Sequence, residues 1–325
     1  MPRLVAAPDK FRGTASARQV AAAIAGAATA AGWECDEVPV SDGGEGFCDV
    51  VGGRVRTARV HGPLGEPVRA EWRQRETTAV IEMALASGLA LAGGPEGNDP
   101  IRASTAGTGE LIAAAVSAGA RRVLVGMGGS ATVDGGMGAL AALEPHSRLS
   151  GVELLVACDV TTLFVDAAAV FGPQKGASPA QVALLTRRLD RLAQLYESDY
   201  GVDVRGLVGA GAAGGLAGGL AALGATLVAG FDLVADTVDL PERIEGADLV
   251  VTGEGFLDEQ SFHGKTVGGV ARLASEAGVP LLVVAGDGLE DQPVPFVSLV
   301  ERYGRGRAMA EPLVCVAEVV AAHLG

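Results

Sequence analysis

Short apolar runs recur along the chain, separated by longer stretches in which apolar positions return every three or four residues. The first period is that of a buried strand and the second that of an amphipathic helix, so the pattern predicts βαβ units around largely parallel sheets. RLVAA at 3–7 opens the series; Ser16 or Thr14 can cap a following helix that lays Val20, Ile24 and Ala27 on one face and ends at Gly32. A strand is expected at Glu37–Val40 and a short helix after Gly46. From Arg54 to Ala84 the texture changes to alternating short strands around HGPLGEP, a hairpin signal and a candidate boundary. Alternation resumes with GTGELIAAAVSAGA (helix), RRVLVGMGG (strand), GMGALAAL (helix) and VELLVACDV (strand). Ser178 with Pro179 at the first helical position opens a helix that aligns Val182, Leu185, Leu189 and Leu192. Beyond the glycine-rich GAGAAGGLAGGL follow DLVVTGEG (strand), a helix near Val267–Glu276, PLLVVAG (strand) and a helix ending at Leu324.

Composition narrows the class. With 325 residues, 49% of them hydrophobic, the chain can fill two cores. The 48 glycines are about twice ordinary usage and cluster where predicted strands end, which suggests backbone that approaches a ligand closely. A formal net charge of -14 argues against nucleic acid as a partner. No apolar run reaches a membrane span and MPRLVAAPDK lacks a signal-peptide pattern, so no membrane partner and a cytoplasmic location are expected. Cys35, Cys48, Cys158 and Cys315 lie far apart without CxxC spacing, and the four histidines form no HExxH pair; reduced core thiols are expected, with no zinc centre. Only Lys10, Lys175 and Lys265 break an otherwise all-arginine supply of cations, and a compact ammonium suits a point contact with phosphate.

Ligands of open α/β sheets collect beyond the carboxyl ends of strands, so the loops there carry the candidate chemistry. Asp9, Lys10 and Arg12 follow the first strand and face the start of a helix, where an anion is favoured. SDGGEG offers Asp42 and Glu45, able to hold Mg²⁺ or accept hydroxyls. STAGTGE places Ser104, Thr105 and Thr108 at a helix start, a pattern that capping alone explains. In GMGGSATVDGG, Gly128, Gly129, Ser130 and Thr132 form a run of backbone and hydroxyl donors suited to phosphate, with Asp134 either a metal ligand or a helix cap. Asp159 stands at the tip of the strand VELLVACD, followed by Lys175 in FGPQKG; TGEG and SFHGKT bring Glu254, Asp258, Ser261 and Lys265 after a later strand. Two familiar motifs fail on inspection. GKT at 264–266 has Glu259 where a P-loop needs its first glycine, and GAGAAG at 209–214 lacks the strand that a dinucleotide fingerprint must follow.

Taken in order, APDKFRGTASA, SDGGEG, GTGEL, GGSATVDGG, ACDV, AVFGPQKGA, GAGAAGGL and TGEGFLDEQSFHGK resemble the bacterial glycerate kinase family from Leu4 to about Gly286. The resemblance implies D-glycerate as substrate, ATP as donor with Mg²⁺, and 2-phosphoglycerate as product. It also implies two α/β domains with mainly parallel sheets, one discontinuous (1–60 and 245–325) and the other inserted (61–244), and an active site in a cleft between them. A homodimer is compatible with it. Departures stand out: the family's first loop resembles DSFKG, so Lys10 replaces a serine and Arg12 a lysine. Val133 replaces a polar residue, Ala106 an aromatic one, and a few dozen residues are missing between Leu143 and Gly151. These changes bear on the substrate more than on the fold. The expected division of roles puts Lys10 and Arg12 on the substrate anion, Gly128, Gly129, Ser130, Thr132 and Lys175 or Lys265 on ATP phosphates, Mg²⁺ near Asp134 or Glu254, and Asp42 or Asp159 as the base. The competing readings are a kinase for another small hydroxy acid and a catalytically silent nucleotide- or metabolite-binding protein.

Overall fold

The computed structural model describes residues 1–262, 265–289 and 292–325; His263 and Gly264 of the SFHGKT segment lie outside them. Its first strands are β1 Arg3–Ala6, β2 Glu34–Glu37, β3 Arg54–His61, β4 Pro67–Arg75, β5 Thr78–Glu82 and β6 Arg122–Gly126. They are followed by β7 Glu153–Ala157, β8 Thr226–Val228, β9 Leu249–Leu257, β10 Leu281–Gly288 and β11 Phe296–Ser298. The chain divides into two compact units, one of Met1–Asp42, Asp49–Val51 and Gly230–Gly325, the other of Gly43–Cys48 and Gly52–Ala229.

The first unit holds a five-stranded sheet in the order β11-β10-β9-β1-β2, parallel throughout. The first halves of its central strands are apolar because both faces are covered there. On one side Leu4, Ala6, Val251 and Val284 pack with Ile24 of the helix Ala17–Ala30 and Val319 of the helix Pro312–Leu324. On the other, Leu257, Val283 and Ala285 meet Val267 of the helix Thr266–Ala277. Ser16 caps the first of these helices in a reciprocal box with Gln19, as its position before the apolar periodicity predicts.

The second unit holds a six-stranded sheet in the order β3-β4-β5-β6-β7-β8. It is mixed: β3, β4 and β5 form an antiparallel meander, and β5 to β8 run parallel. Ile81, Val123, Val125 and Val156 build its core with Leu111 and Ile112 of the helix Ala106–Ser117. A second cluster sits where Leu185, Leu189 and Tyr196 of the helix Pro179–Tyr200 close on Phe164, under the Ser178 capping box.

Three expectations shift. The strand sought at Glu37–Val40 is instead Glu34–Glu37; it pairs with β1 at the sheet edge, where polar side chains are tolerated, while buried Val38 and Val40 continue past it. Glu254 lies within β9 and not after it, since that strand runs on to Leu257. GAGAAG folds as a tight turn with Ala213, Gly214 and Gly215 at positive φ, leading into the helix Leu216–Ala222, and serves packing. The short β8 and β11 and the helices Gly230–Thr237 and Leu240–Glu245 were not picked out in the sequence; each spans eight residues or fewer. Among the described residues no cysteine is in a disulfide, and burial pushes the Cys35 and Cys158 thiols up to about 12. None of the described helices is long and apolar enough to cross a membrane.

Gly253 pairs with Val284 across β9 and β10, and a Cβ there would overlap the Val284 carbonyl. Gly253→Ala is therefore expected to part the two strands beside Glu254 and lower the thermal midpoint by several degrees, an overpacking cost of about 1–3 kcal/mol. A melting curve superimposable on that of the wild type would contradict this.

Candidate active site

In the first unit the polar residues gather beyond the carboxyl ends of β1 and β9. Past Ala6 the chain stays bonded to β9, with the Asp9 amide donating to the Gly253 carbonyl at 2.9 Å, and then turns where Gly13 takes a positive φ. Asp9 is only 4% exposed. Its Oδ1 accepts from the Lys10 amide at 2.6 Å and its Oδ2 from the Thr266 hydroxyl at 2.9 Å, at the first turn of the helix Thr266–Ala277. Lys10 Nζ lies 3.4 Å from Asp9 Oδ1 and 3.7 Å from Asp42 Oδ1. Burial raises the Asp9 pKa, Lys10 draws it back, and the charge of Asp42 adds to the rise.

Glu254 completes this group. Its carboxyl is pushed up to about 7, chiefly by burial, with a hydrogen bond from Ser261 opposing and the charges of Asp9 and Asp42 reinforcing the shift. Its Oε1 is buried without a hydrogen-bond partner among the described residues. Arg12 is exposed and Lys265 stands half-buried just before the helix Thr266–Ala277. The surroundings of Lys10 thus differ from the expected anion site: its charge already faces two carboxylates, and the cluster as a whole favours a cation.

The second unit builds a different kind of site in the loop after β6. Gly129 takes a positive φ, its carbonyl accepts from the Leu89 amide, and the Ala131 amide donates to the Ser87 carbonyl, so the loop is stitched down on both sides. Gly128 permits backbone approach, since a Cβ there would stand 2.8 Å from the Gly44 Cα. Thr132 is fully buried and its hydroxyl donates to the Ala213 carbonyl at 3.3 Å, so it holds the loop to the 212–215 turn instead of presenting a donor to a ligand. Ser130, 8% exposed, accepts at 2.7 Å from the Nζ of Lys175, which is itself only 3% exposed.

Asp134 is engaged by four donors at the starts of two helices. Its Oδ2 accepts from the Thr105 amide and hydroxyl, both at 2.8 Å, and from the Gly138 amide at 3.2 Å; its Oδ1 accepts from the Gly136 amide at 3.2 Å. Burial raises its pKa, and these four donors oppose the rise; a carboxyl surrounded only by donors is in the pattern of a carboxylate. Little lone-pair capacity remains for a metal. Asp159 lies half-buried in the loop after β7. Two contributors escaped the reading of the sequence: Asn98, whose Nδ2 bridges the Ala131 and Lys175 carbonyls at 2.9 Å each, and Thr266 as the partner of Asp9. Nothing local marks Asn98. Thr266, at a helix start after a lysine, did carry a capping signal.

Comparison with known proteins places this geometry. A protein from Bacillus subtilis strain 168 named glycerate kinase is 41% identical over 324 residues, covering 87% of this chain and 85% of its own. One from Escherichia coli K12 named glycerate 2-kinase is 38% identical over 342 residues, covering 93% and 88%. The crystal structure of a Salmonella typhimurium LT2 protein assigned as glycerate kinase 2 superimposes with a TM-score of 0.86 at 34% identity, covering 99% of this chain and 98% of that one. The class defined by fold and relatives is an α/β phosphotransferase. The profile of the glycerate kinase family matches residues 4–146 and 144–296, and the chain belongs to that family. The two matched segments meet at 144–146, where the missing stretch was expected.

Two consequences are measurable. Asp134→Ala strands the Thr105 and Gly138 amides and is expected to cost at least about 2 kcal/mol in urea denaturation; a loss below experimental error would remove Asp134 as the organiser of the loop. Glu254 has a folded pKa raised from 4.5 to about 7, so the folded state holds its proton where the unfolded state has lost it. Its contribution is full below pH 4.5 and is lost as pH rises through about 7. The stability of wild type relative to Glu254→Gln, measured in EDTA, should therefore fall by up to about 3 kcal/mol across that window. A pH-independent difference would show that the carboxyl is not perturbed.

Proposed function

We propose that the chain transfers the γ-phosphoryl group of ATP to the C2 hydroxyl of D-glycerate, giving 2-phosphoglycerate and ADP. The observation that carries this reading is identity of about 40% to glycerate kinases over most of the chain, one of them named a 2-kinase. The site chemistry supports it. Phosphoryl transfer needs few covalent partners from a protein and depends on holding anions in place and neutralising charge as it moves. The loop Gly128–Thr132, with its amides and the Ser130 hydroxyl, suits the phosphates of ATP, and Lys265 before a helix start suits the same charge. Arg12, whose guanidinium is exposed, suits the substrate carboxylate. In the reaction the hydroxyl oxygen bonds to the γ-phosphorus, the bond from that phosphorus to the β,γ-bridging oxygen breaks, ADP leaves with that electron pair, and the hydroxyl proton passes to a carboxylate. Asp42, held beside Lys10, is assigned that role, with Asp159 as the alternative acceptor.

Mg²⁺ is part of the proposal. The ion takes one or two carboxylates together with phosphate oxygens and water. Glu254, with its buried and unpartnered Oε1, fits that donor set better than the saturated Asp134. When bound, the ion supplies charge neutralisation on the phosphate oxygens. The cytoplasm, where ATP is abundant, is the proposed location.

ADP release should depend on both Mg-ATP and D-glycerate, with a 2-phosphoglycerate signal in phosphorus NMR. ADP release with a different hydroxy acid alone would move the substrate. Nucleotide-dependent thermal stabilisation without ADP release would identify a silent binder. Asp42→Ala is expected to lower kcat by two or more orders of magnitude, on the scale of lost acid–base catalysis; retained turnover there with loss in Asp159→Ala would transfer the role to Asp159.

A further inference from the structure

Lys175 presents an electrostatic puzzle. Its ammonium is buried, yet its hydrogen-bond partners among the described residues are neutral: the Ser130 hydroxyl at 2.7 Å and the Thr132 carbonyl at 2.8 Å, with the Phe171 ring 5.8 Å away. Removal of a charge from water without a directly bonded counter-ion is costly and is retained where something else uses the charge. Burial lowers the Lys175 pKa to about 7, and the charge of Asp134 opposes the shift. That carboxylate is itself engaged by Thr105, Gly136 and Gly138, so it does not absorb the ammonium in an ion pair.

The geometry of Ser130 shows where the charge is delivered. A hydroxyl has one proton to donate and lone pairs to accept with. Here a lone pair takes the ammonium proton, so the hydroxyl proton is directed away from Lys175, and a donor whose oxygen accepts from a cation is polarised toward an anion. Ser130 sits beside Gly128 and Gly129 in the loop assigned to phosphate and keeps a little exposure, whereas Lys175 lies behind it. Asn98 fixes this relation by bonding the carbonyls of both Ala131 and Lys175.

We propose that Lys175 is a positioning residue that acts on a bound phosphate through Ser130, fixing the serine hydroxyl as a donor and locking residues 130–132, without touching the phosphate itself. The inference rests on the assignment of this loop to ATP phosphates. It explains why a lysine stands there in a chain that otherwise uses arginine: a compact ammonium can serve two neutral acceptors inside a packed core, and a planar guanidinium with five donors would leave several unsatisfied.

The test is a double-mutant cycle on the full chain with Lys175→Met, Ser130→Ala and the double variant, together with Ser130→Thr. ADP affinity is read by calorimetry, KM for Mg-ATP and kcat by coupled assay, and folding by urea denaturation. Each of Lys175→Met and Ser130→Ala is expected to weaken ADP and raise KM for ATP by on the order of tenfold, the size of one lost hydrogen bond to a charged group. KM for D-glycerate should stay unchanged, the double variant should be no weaker than Lys175→Met alone, and Ser130→Thr should recover most of the loss. Additive losses, or a Lys175→Met defect with Ser130→Ala like wild type, would mean a direct lysine–phosphate contact and overturn the proposal. Phosphoserine at position 130 during turnover would make Ser130 a nucleophile and overturn it as well. Should Lys175→Met fail to fold, ADP affinity at wild-type level in Ser130→Ala overturns it by itself. If glycerate is not phosphorylated, the function reading fails separately, and the binding cycle with ADP or inorganic pyrophosphate still decides this one; wild type binding neither probe counts against it.

Discussion

A carboxylate removed from water is stable only where donors replace the solvent it has lost, and the loop after β6 is organised by that requirement. Asp134 draws the Thr105 amide and hydroxyl at the start of one helix and the Gly136 and Gly138 amides at the start of another to a single buried point. Each donor belongs to the unpaired first turn of a helix, a place where negative charge is also favoured by the aligned peptide dipoles. One side chain thereby sets the register between two helices and the loop that runs from Gly128 to Thr132. The inward commitment of Thr132 and the placement of Lys175 follow, because both hold the same loop from behind.

The first unit handles its charges differently. Asp9 is satisfied by Lys10 and Thr266, but Glu254 keeps one buried oxygen without a partner among the described residues, and its carboxyl is pushed up to about 7 by burial. The charges of Asp9 and Asp42 add to the rise that burial imposes on Glu254, and Lys265 opposes it. Of the two units, one presents a framework of donors around a buried carboxylate and the other a set of carboxylates around a lysine.

Glycine allows both arrangements to be built from backbone. Gly253 lets β9 and β10 close beside Glu254, and Gly128 lets the phosphate-type loop approach Gly44. At these two positions glycine carries structural information, since a side chain there would hold two backbones apart.

The alternation of strand and helix periods, the Ser16 and Ser178 caps and the hairpin region were all legible in the sequence, because each depends on residues close together along the chain. The same locality exposed the loops that carry Asp9, Asp42, Ser130 and Asp134, and the ordered blocks disclosed the family. The direction in which those side chains point was decided by tertiary structure alone. Nothing near Asp134 in the chain announces that Thr105, 29 residues away, donates to it. Lys175 reads as a loop lysine until Ser130 and Thr132, more than forty residues distant, are found around its ammonium. Burial and partnership are properties of distant segments brought together, and they fix whether a charged group meets a ligand or holds the framework that does.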